Sequence, residues 1–162
     1  KSKNRKVSYD TLSNYLGYIE EAFLAYKTER YNIKGKDVVA GNCKYYLNDL
    51  SFKNFLYPGF AYGVGYLLEN AVYLELRRLG YIVYTGSFRN KEVDFVAMKD
   101  DRVIYLQATY MLETAQTMER EYAPLLTIGD NYEKYVVSMD EVQFPSNEGV
   151  RHIQAWNLKE IL

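Results

Sequence analysis

The first clear pattern of hydrophobic and polar positions covers residues 7–25. Apolar side chains recur there at intervals of three or four residues after Ser8, a candidate N-cap, which predicts an amphipathic helix. Residues 26–33 then alternate loosely, a Lys-Gly-Lys turn signal follows at residues 34–36, and residues 44–47 indicate a returning strand. The chain is therefore expected to begin with a helix and a two-stranded ribbon.

A second helix is predicted over residues 66–79, and Gly80 is typical of the residue that ends a helix. Its apolar stripe is Leu68, Val72, Leu76 and Leu79, with Glu69 and Glu75 on the margins and Asn70, Arg77 and Arg78 pointing away. Three short strands follow at residues 81–84, 92–98 and 103–110, then a helix at 114–122 and strands at 134–139 and 150–156. This order predicts an α/β (α+β) fold with a mixed central sheet flanked by helices.

Pro58, Gly59, Gly63 and Gly65 mark a boundary between a first segment, residues 1–58, and a second, residues 59–162. A chain of 162 residues with 48% hydrophobic and 16% aromatic residues has the composition of a folded protein. Its single cysteine excludes an internal disulfide and fits a reducing compartment, so a cytoplasmic location is expected. No apolar run approaches the ~20 residues of a membrane helix, so no membrane partner is expected.

Charge is uneven along the chain. Residues 1–60 carry 10 basic and 6 acidic side chains, whereas residues 61–162 carry 10 and 15, which gives +4 and −5. A helix followed by a ribbon is the outline of part of a winged-helix unit, whose helix enters the DNA major groove through its N-terminal residues. The candidate nucleic-acid contacts are therefore Lys3, Arg5, Lys6, Thr11, Ser13 and Asn14. A solvated basic tail and a packing module without a nucleic-acid role remain the alternatives.

A group of oxygen-bearing side chains is expected in the second segment. Neighbouring strands lie ~4.8 Å apart, so Asp94 on one strand and Gln107 on the next are expected to meet, with Glu69 above them on the helix. Strict alternation places Asp94 on the same face as Glu92, Val96 and Met98. Mg²⁺ or Mn²⁺ is the expected cofactor, because hard cations prefer oxygen ligands. A satisfied polar cluster that only fixes the fold is the alternative.

Several spaced segments resemble one family. Residues 67–76 with Glu69, 92–97 with Asp94 and 105–110 with Gln107 are similar to the C-terminal domain that follows the ATPase module in a large group of prokaryotic AAA+-superfamily ATPases. Residues 119–125 and 132–135 also fit this pattern, and residues 7–24 and 44–49 resemble the winged-helix-like part of the family. A complete winged helix has two further helices before this one, so the first segment is expected to be a partial unit.

The resemblance implies a restriction-endonuclease-like core of the PD-(D/E)XK type. It places Glu69 as the first-helix acid, Asp94 as the first strand acid and Gln107 in the position of the second acid. These three are the implied metal ligands, and with Thr109, in the position of the motif lysine, they form the candidate catalytic set. A neutral hydroxyl at 109 weakens the case for cleavage, because loss of one preorganised charge stabiliser can lower a rate by ~10²–10³-fold. The chain has no phosphate-binding loop, so ATP is expected to bind only in an upstream module.

Three functions are therefore expected in order. The first is a DNA-binding accessory domain of an ATPase, with a degenerate nuclease-like core. The second is a Mg²⁺- or Mn²⁺-dependent DNA nuclease. The third is a protein-interaction or oligomerisation module that regulates the upstream ATPase of the same polypeptide.

Overall fold

A mixed seven-stranded sheet organises the chain in the computed structural model, which describes residues 7–59 and 63–162. The elements, in chain order, are α1 Tyr9–Glu21, β1 Ala25–Asn32, β2 Asp37–Leu47, α2 Ser51–Leu56, α3 Val64–Arg78, β3 Ile82–Phe88, β4 Lys91–Lys99, β5 Arg102–Ala108, α4 Ala115–Leu126, β6 Glu133–Ser138, β7 Val150–Gln154 and a closing 3₁₀ helix, Ala155–Glu160. The strand order in the sheet is β2-β1-β3-β4-β5-β6-β7.

The second segment has the predicted order of helix, three-stranded meander, helix and strand. Strands β3, β4 and β5 pair antiparallel, whereas β5, β6 and β7 pair parallel, so the mixed α/β class is confirmed. Helix α3 covers one face of the sheet through Leu68, Val72 and Leu76. Helix α4 covers the other face through Tyr122 and Leu125, and it continues past the predicted end through Pro124.

The first segment adds its ribbon to the same sheet. Strands β1 and β2 form an antiparallel hairpin, and β1 also pairs parallel with β3 at three positions between residues 30–32 and 85–87. The returning strand β2 begins at Asp37, earlier than residues 44–47 indicate, because the hairpin is closed by the predicted turn. Segments 1–58 and 59–162 therefore share one sheet, and side chains of the hairpin lie beside those of the core.

Helix α1 has the predicted N-cap, with Ser8 Oγ accepting a hydrogen bond from Thr11 N at 3.2 Å. None of its residues is buried, and apolar side chains such as Tyr9 and Tyr15 remain largely exposed. In the described ranges 7–59 and 63–162, no helix is both long and apolar enough to cross a membrane.

Candidate functional site

The structure brings the predicted acidic and amide side chains together in one cleft of about 280 Å³, lined by Glu69, Asp94, Gln107 and Thr109 among others. Gln107 Oε1 accepts a hydrogen bond from Asp94 N at 3.2 Å, and Asp94 Oδ2 accepts one from Ala108 N at 2.9 Å. The predicted meeting of Asp94 and Gln107 across neighbouring strands is therefore confirmed. Glu69 reaches the same cleft from α3.

A β-bulge in β4 directs Asp94 into this cleft. Tyr84 pairs with Val96 and Gly86 pairs with Val93, so Asp94 and Phe95 together lie opposite Thr85 alone. Strict alternation is wrong here, because the extra residue rotates the strand. Bulges of this kind redirect side chains and are frequent beside functional sites.

The bulge also changes which residues share a core. Val93 joins Val96 in the core beneath α4, whereas Phe95 belongs to the core beneath α3. Strict alternation would place Val93 and Phe95 on one face of the sheet. They instead pack on opposite faces, on either side of Asp94 in the chain.

Lys44 of β2 lies among the carboxylates. Its Nζ is 2.9 Å from Glu69 Oε1, 2.9 Å from Glu92 Oε1 and 3.6 Å from Asp94 Oδ1. Tyr46, two residues later on the same face of β2, donates its hydroxyl to Glu69 Oε1 at 2.7 Å. The cluster therefore takes side chains from both predicted segments.

Arg30 of β1 extends this cluster at its outer end. Its Nη2 donates to Glu92 Oε2 at 2.8 Å, so Glu92 is held by one cation at each oxygen. The hairpin therefore supplies both basic partners of the acidic side chains that α3 and β4 present.

Burial and charge act together on the titration of the cluster. Burial first, and then the charge of Glu69, raise the pKa of Asp94 to about 7, although the Ala108 N–H and Lys44 act in the opposite direction. Burial alone lowers the pKa of Lys44, but the charges of Asp94 and Glu69 reverse this and raise it above its ordinary value. Lys44 is therefore a firmly protonated cation beside a carboxyl group that is costly to ionise.

A second cleft of about 350 Å³ adjoins the first and shares Gln107, Arg120 and Glu121 with it. Glu121 of α4 is buried and pairs with the neighbouring Arg120 at 2.6 Å. Lys91, the first residue of β4, closes the far side and donates to Ala123 O at 3.3 Å. The carboxylates of the two clefts are Glu69, Glu92, Asp94 and Glu121. Four basic side chains balance their charge: Arg30, Lys44, Lys91 and Arg120.

The oxygen donors suit Mg²⁺ or Mn²⁺ in type but not in their placement. Glu69 Oε1 already accepts from Lys44 and Tyr46, Asp94 Oδ2 from Ala108 N, and Gln107 Oε1 from Asp94 N. Within the described part of the chain, no group of three or more histidine, cysteine or acidic side chains is arranged to hold a metal ion. As placed, the residues do not fit a bound divalent cation, because a protonated lysine lies where the ion would bind.

The remaining predicted site residues are dispersed. Thr109 is buried just beyond β5 and its N–H donates to Val137 O at 3.0 Å, so it lies at the cleft as a neutral group. Thr11, Ser13 and Asn14 are exposed on α1, where the hydroxyl of Thr11 lies 2.8 Å from Ser8 Oγ. Lys3, Arg5 and Lys6 lie outside the described residues.

The residues that the sequence pattern did not assign to the site include Arg30, Lys44, Tyr46, Glu92 and Glu121. Lys44 and Tyr46 belong to residues 44–47, recognised as a strand, and their spacing of two places them on one face. No local signal indicates that this face meets α3. The pairing of the hairpin with β3, which brings them there, joins residues more than 50 positions apart.

Two curated proteins show clear similarity. An uncharacterised protein of Haemophilus influenzae is 36% identical over 137 residues, which cover 85% of this chain and 34% of that protein. An uncharacterised protein of Methanocaldococcus jannaschii is 33% identical over 125 residues, 75% of this chain and 27% of that protein. The chain thus spans about a third or less of the length of these relatives. No family model and no solved structure matches the chain.

Proposed function

We propose that this chain is the accessory domain of a longer prokaryotic ATPase, and that it binds DNA through a nuclease-derived core that does not cleave. The observation that carries the proposal is the cleft in which Asp94 and Gln107 meet beside the basic side chains Lys91 and Arg120. The order α3-β3-β4-β5-α4-β6 supports the nuclease-like origin that the resemblance implies. A cytoplasmic location is part of the same proposal.

The charges of the clefts are compatible with a phosphate backbone. An unpaired acidic site repels DNA, but here basic groups balance the carboxylates, and Lys91 and Arg120 lie at the exposed rim. Basic side chains that contact phosphates supply most of the affinity in binding that is independent of sequence. The proposed contact is therefore electrostatic and made at the rim.

The proposed loss of cleavage rests on two side chains. Thr109 is neutral where the resemblance implies a lysine, and Lys44 is surrounded by the acids that a metal ion would require. Thr109 supplies no positive charge where a phosphodiester would react. The charge of Lys44 is balanced by the surrounding carboxylates, so it does not supply that charge either. A core of this kind keeps the shape of a nuclease while its chemistry is absent.

The longer protein enters the proposal through the relatives. Because the chain matches only 34% and 27% of their lengths, most of each relative lies outside the matched region. That remaining length has room for an ATPase module, as the resemblance implies, and ATP is proposed to bind there.

The test is binding of a labelled DNA duplex, followed by fluorescence anisotropy between 50 and 200 mM salt for the wild type, Lys91→Ala and Lys99→Ala. Lys91 and Lys99 are the two ends of β4, about 26 Å apart at ~3.3 Å per residue. Both are exposed and each donates to one backbone carbonyl. The substitutions therefore remove the same charge at opposite ends of one strand.

We expect Lys91→Ala to weaken binding and to lower the salt slope by about 1, as loss of one phosphate contact does. Lys99→Ala is expected to bind like the wild type. Equal losses in both variants would show non-specific attraction to the whole surface. No binding even at 50 mM salt would refute the proposal.

The N-terminal residues form a second proposed contact set: Lys3, Arg5, Lys6, Thr11, Ser13 and Asn14. A variant in which Lys3, Arg5 and Lys6 are all changed to alanine is expected to lower the salt slope by up to about 3. An unchanged slope would confine DNA binding to the cleft and leave the first segment with a packing role.

A metal-dependent DNA nuclease is the second candidate, and the position of Lys44 favours it. Lys44 Nζ lies within 3.6 Å of Asp94, so β2 supplies a lysine that the sequence pattern lacks at 109. On this hypothesis Mn²⁺ supports cleavage of DNA, and both Lys44→Ala and Asp94→Asn abolish it. Cleavage that persists in Asp94→Asn would come from another site or from a contaminant.

A further inference from the structure

We propose that Lys44 is the resident cation of the Glu69–Glu92–Asp94 cluster, and that it closes this cluster to divalent metal ions. The inference uses the proposed nuclease-derived core only to choose the competing ions, Mg²⁺ and Mn²⁺. It differs from the second candidate function, in which Lys44 works beside a bound metal rather than in its place.

The geometry of the cluster suits an ammonium group. A lysine ammonium group carries three N–H donors, and three carboxylates surround Lys44 Nζ at 2.9, 2.9 and 3.6 Å. These acids come from α3 and from two positions of β4, so the ammonium joins a helix to the sheet. One charged group thus occupies the point toward which all three acids converge.

The oxygens around that point also accept hydrogen bonds from other protein groups. Tyr46 donates to Glu69 Oε1, Ala108 N donates to Asp94 Oδ2, and Arg30 donates to Glu92 Oε2. Each acid therefore has a fixed protein donor in addition to Lys44. Mg²⁺ requires near-octahedral oxygen ligands at ~2.1 Å, so an ion binding Glu69 and Asp94 would have to expel the ammonium that now bridges them.

Lys44 and Arg30 nearly balance the charge of the cluster. When all three acids are ionised they carry −3, and Lys44 with Arg30 supplies +2, which leaves −1. A dication added to this cluster would leave +1 beside a partly buried ammonium. Without Lys44 the same cluster carries −2, which a single dication neutralises. The cluster is therefore complementary to a divalent metal only when the lysine is absent.

The hairpin holds Lys44 in place. Two positions later, the buried Tyr46 ring stacks on Tyr73 of α3, with ring centroids 4.2 Å apart and planes inclined by 13°. One residue further, Leu47 exchanges two backbone hydrogen bonds with Asn70 of α3. The lysine is thus carried by a strand that is fixed to the helix bearing Glu69, which favours the occupied arrangement.

The test is titration of the full chain with Mn²⁺ alone, with free Mn²⁺ measured by electron paramagnetic resonance. Five variants are compared with the wild type. Lys44→Ala removes the cation, Lys44→Arg retains it, Asp94→Asn removes one acid, and Lys44→Ala combined with Asp94→Asn removes the cation and one acid. Lys27→Ala, exposed on β1, removes a lysine charge away from the cluster.

We expect no saturable Mn²⁺ site up to 1 mM in the wild type, Lys44→Arg and Lys27→Ala. Lys44→Ala should gain one site at least 10-fold tighter than any binding by the wild type, and the double variant should lose it. A gain of binding on removal of a lysine is not expected from general destabilisation, because unfolding disperses the three acids.

Two outcomes would overturn the inference. Saturable binding in the wild type that Asp94→Asn abolishes and Lys44→Ala preserves would make Lys44 a partner of a bound metal. Absence of binding in a folded Lys44→Ala would show that the acids do not form a metal site even when vacated. If Lys44→Ala does not fold, Lys44→Met replaces it, and the comparison of wild type with Asp94→Asn still decides whether metal and lysine coexist. DNA binding is measured separately, so failure here leaves the proposed DNA binding standing and bears only on the proposed loss of cleavage.

Discussion

Asn70 of α3 forms two hydrogen bonds with the backbone of Leu47 at the end of β2. Its Nδ2 donates to Leu47 O at 2.9 Å, and Leu47 N donates to its Oδ1 at 2.8 Å. The amide group imitates the next strand of the sheet, so the edge of β2 is closed at this point by a helix side chain. This contact fixes the hairpin against α3 at the residue that follows Glu69, and it therefore helps to determine where Lys44 lies.

Asn70→Ala is expected to destabilise the fold by roughly 2–3 kcal/mol. The substitution removes two hydrogen bonds and leaves a half-buried N–H and C=O without their partners. The measurement is the free energy of unfolding in urea. Asn54→Ala on the exposed side of α2 is the matched control and should change stability by less than ~0.5 kcal/mol. A loss equal to that of the control would mean that the hairpin is held by its strand pairing alone.

Tyr46→Phe isolates the hydroxyl that holds Glu69. The ring is buried against Tyr73, so phenylalanine keeps the stacking and loses only the 2.7 Å bond to the carboxylate. A hydrogen bond to a charged group contributes about 1.5–3 kcal/mol, and Lys44 still pairs with the same oxygen, so we expect a loss near 1.5 kcal/mol.

Tyr45→Phe provides the comparison, because Tyr45 lies on the opposite, exposed face of β2. Thermal unfolding of both variants should show a clear decrease in Tm for Tyr46→Phe and almost none for Tyr45→Phe. Equal Tm values for the two variants would show that the Tyr46 hydroxyl does not stabilise the site.

His152 is expected to make the fold sensitive to acid. It is 2% exposed, its Nδ1 accepts from Phe144 N at 3.1 Å, and its Nε2 lies 2.8 Å from Ser138 Oγ. Burial lowers the pKa of His152, although the charge of Asp140 acts in the opposite direction. The folded state thus binds this proton less readily than the unfolded state, and a proton on Nδ1 would remove the acceptor that Phe144 uses.

The stability that neutral His152 provides is present above the unfolded pKa of ~6.5 and is lost as the pH falls through the lower folded value. His152→Asn keeps an acceptor near Nδ1 and does not titrate in this range. The difference in unfolding free energy between wild type and His152→Asn should therefore shrink from pH 7.5 to pH 5. A difference that stays constant over this range would contradict the assignment.

The fold class could be predicted from the sequence because its signals are local. The apolar stripe of α3, the glycine that ends it and the turns of the meander all act within a few residues. Gly80 has the positive φ of 87° that a helix terminus of this type requires. The meeting of Asp94 and Gln107 could also be predicted, because adjacent strands joined by a tight turn must pair in sequence order.

The rest of the site depends on contacts that are distant in the chain. The stripe of α3 predicts an exposed Asn70, but the hairpin covers that face and buries it. The bulge at Asp94 has no signature in residues 92–98, where polar and apolar residues alternate up to Phe95 and only apolar residues follow. Lys44 meets acids 25, 48 and 50 residues away, and it is brought there by the parallel pairing of β1 with β3 and by the contacts of β2 with α3.

Asp94→Asn distinguishes a site maintained for function from a polar cluster that fixes the fold. Burial first, and then the charge of Glu69, raise the pKa of Asp94 to about 7, so the ionised carboxylate opposes folding. Asparagine retains an oxygen that accepts from Ala108 N and carries no charge. If the protein with the buried carboxylate is less stable than the variant with its neutral isostere, we expect that function and not stability determines the residue.

The pKa of Asp94 in the folded state exceeds the unfolded value of ~3.9. The stability that protonated Asp94 provides is therefore complete below pH ~3.9 and is lost as the pH rises through about 7. Wild type and Asp94→Asn should therefore differ by only about 1 kcal/mol near pH 4.5, where the unfolded carboxyl group is already partly ionised. The variant should become progressively more stable than the wild type up to pH 8, by at most about 4 kcal/mol for three pKa units. Urea unfolding at both pH values measures the difference. A variant that is less stable than the wild type at pH 8 would show that Lys44 already stabilises the ionised form, and that the acids of this cluster serve the fold.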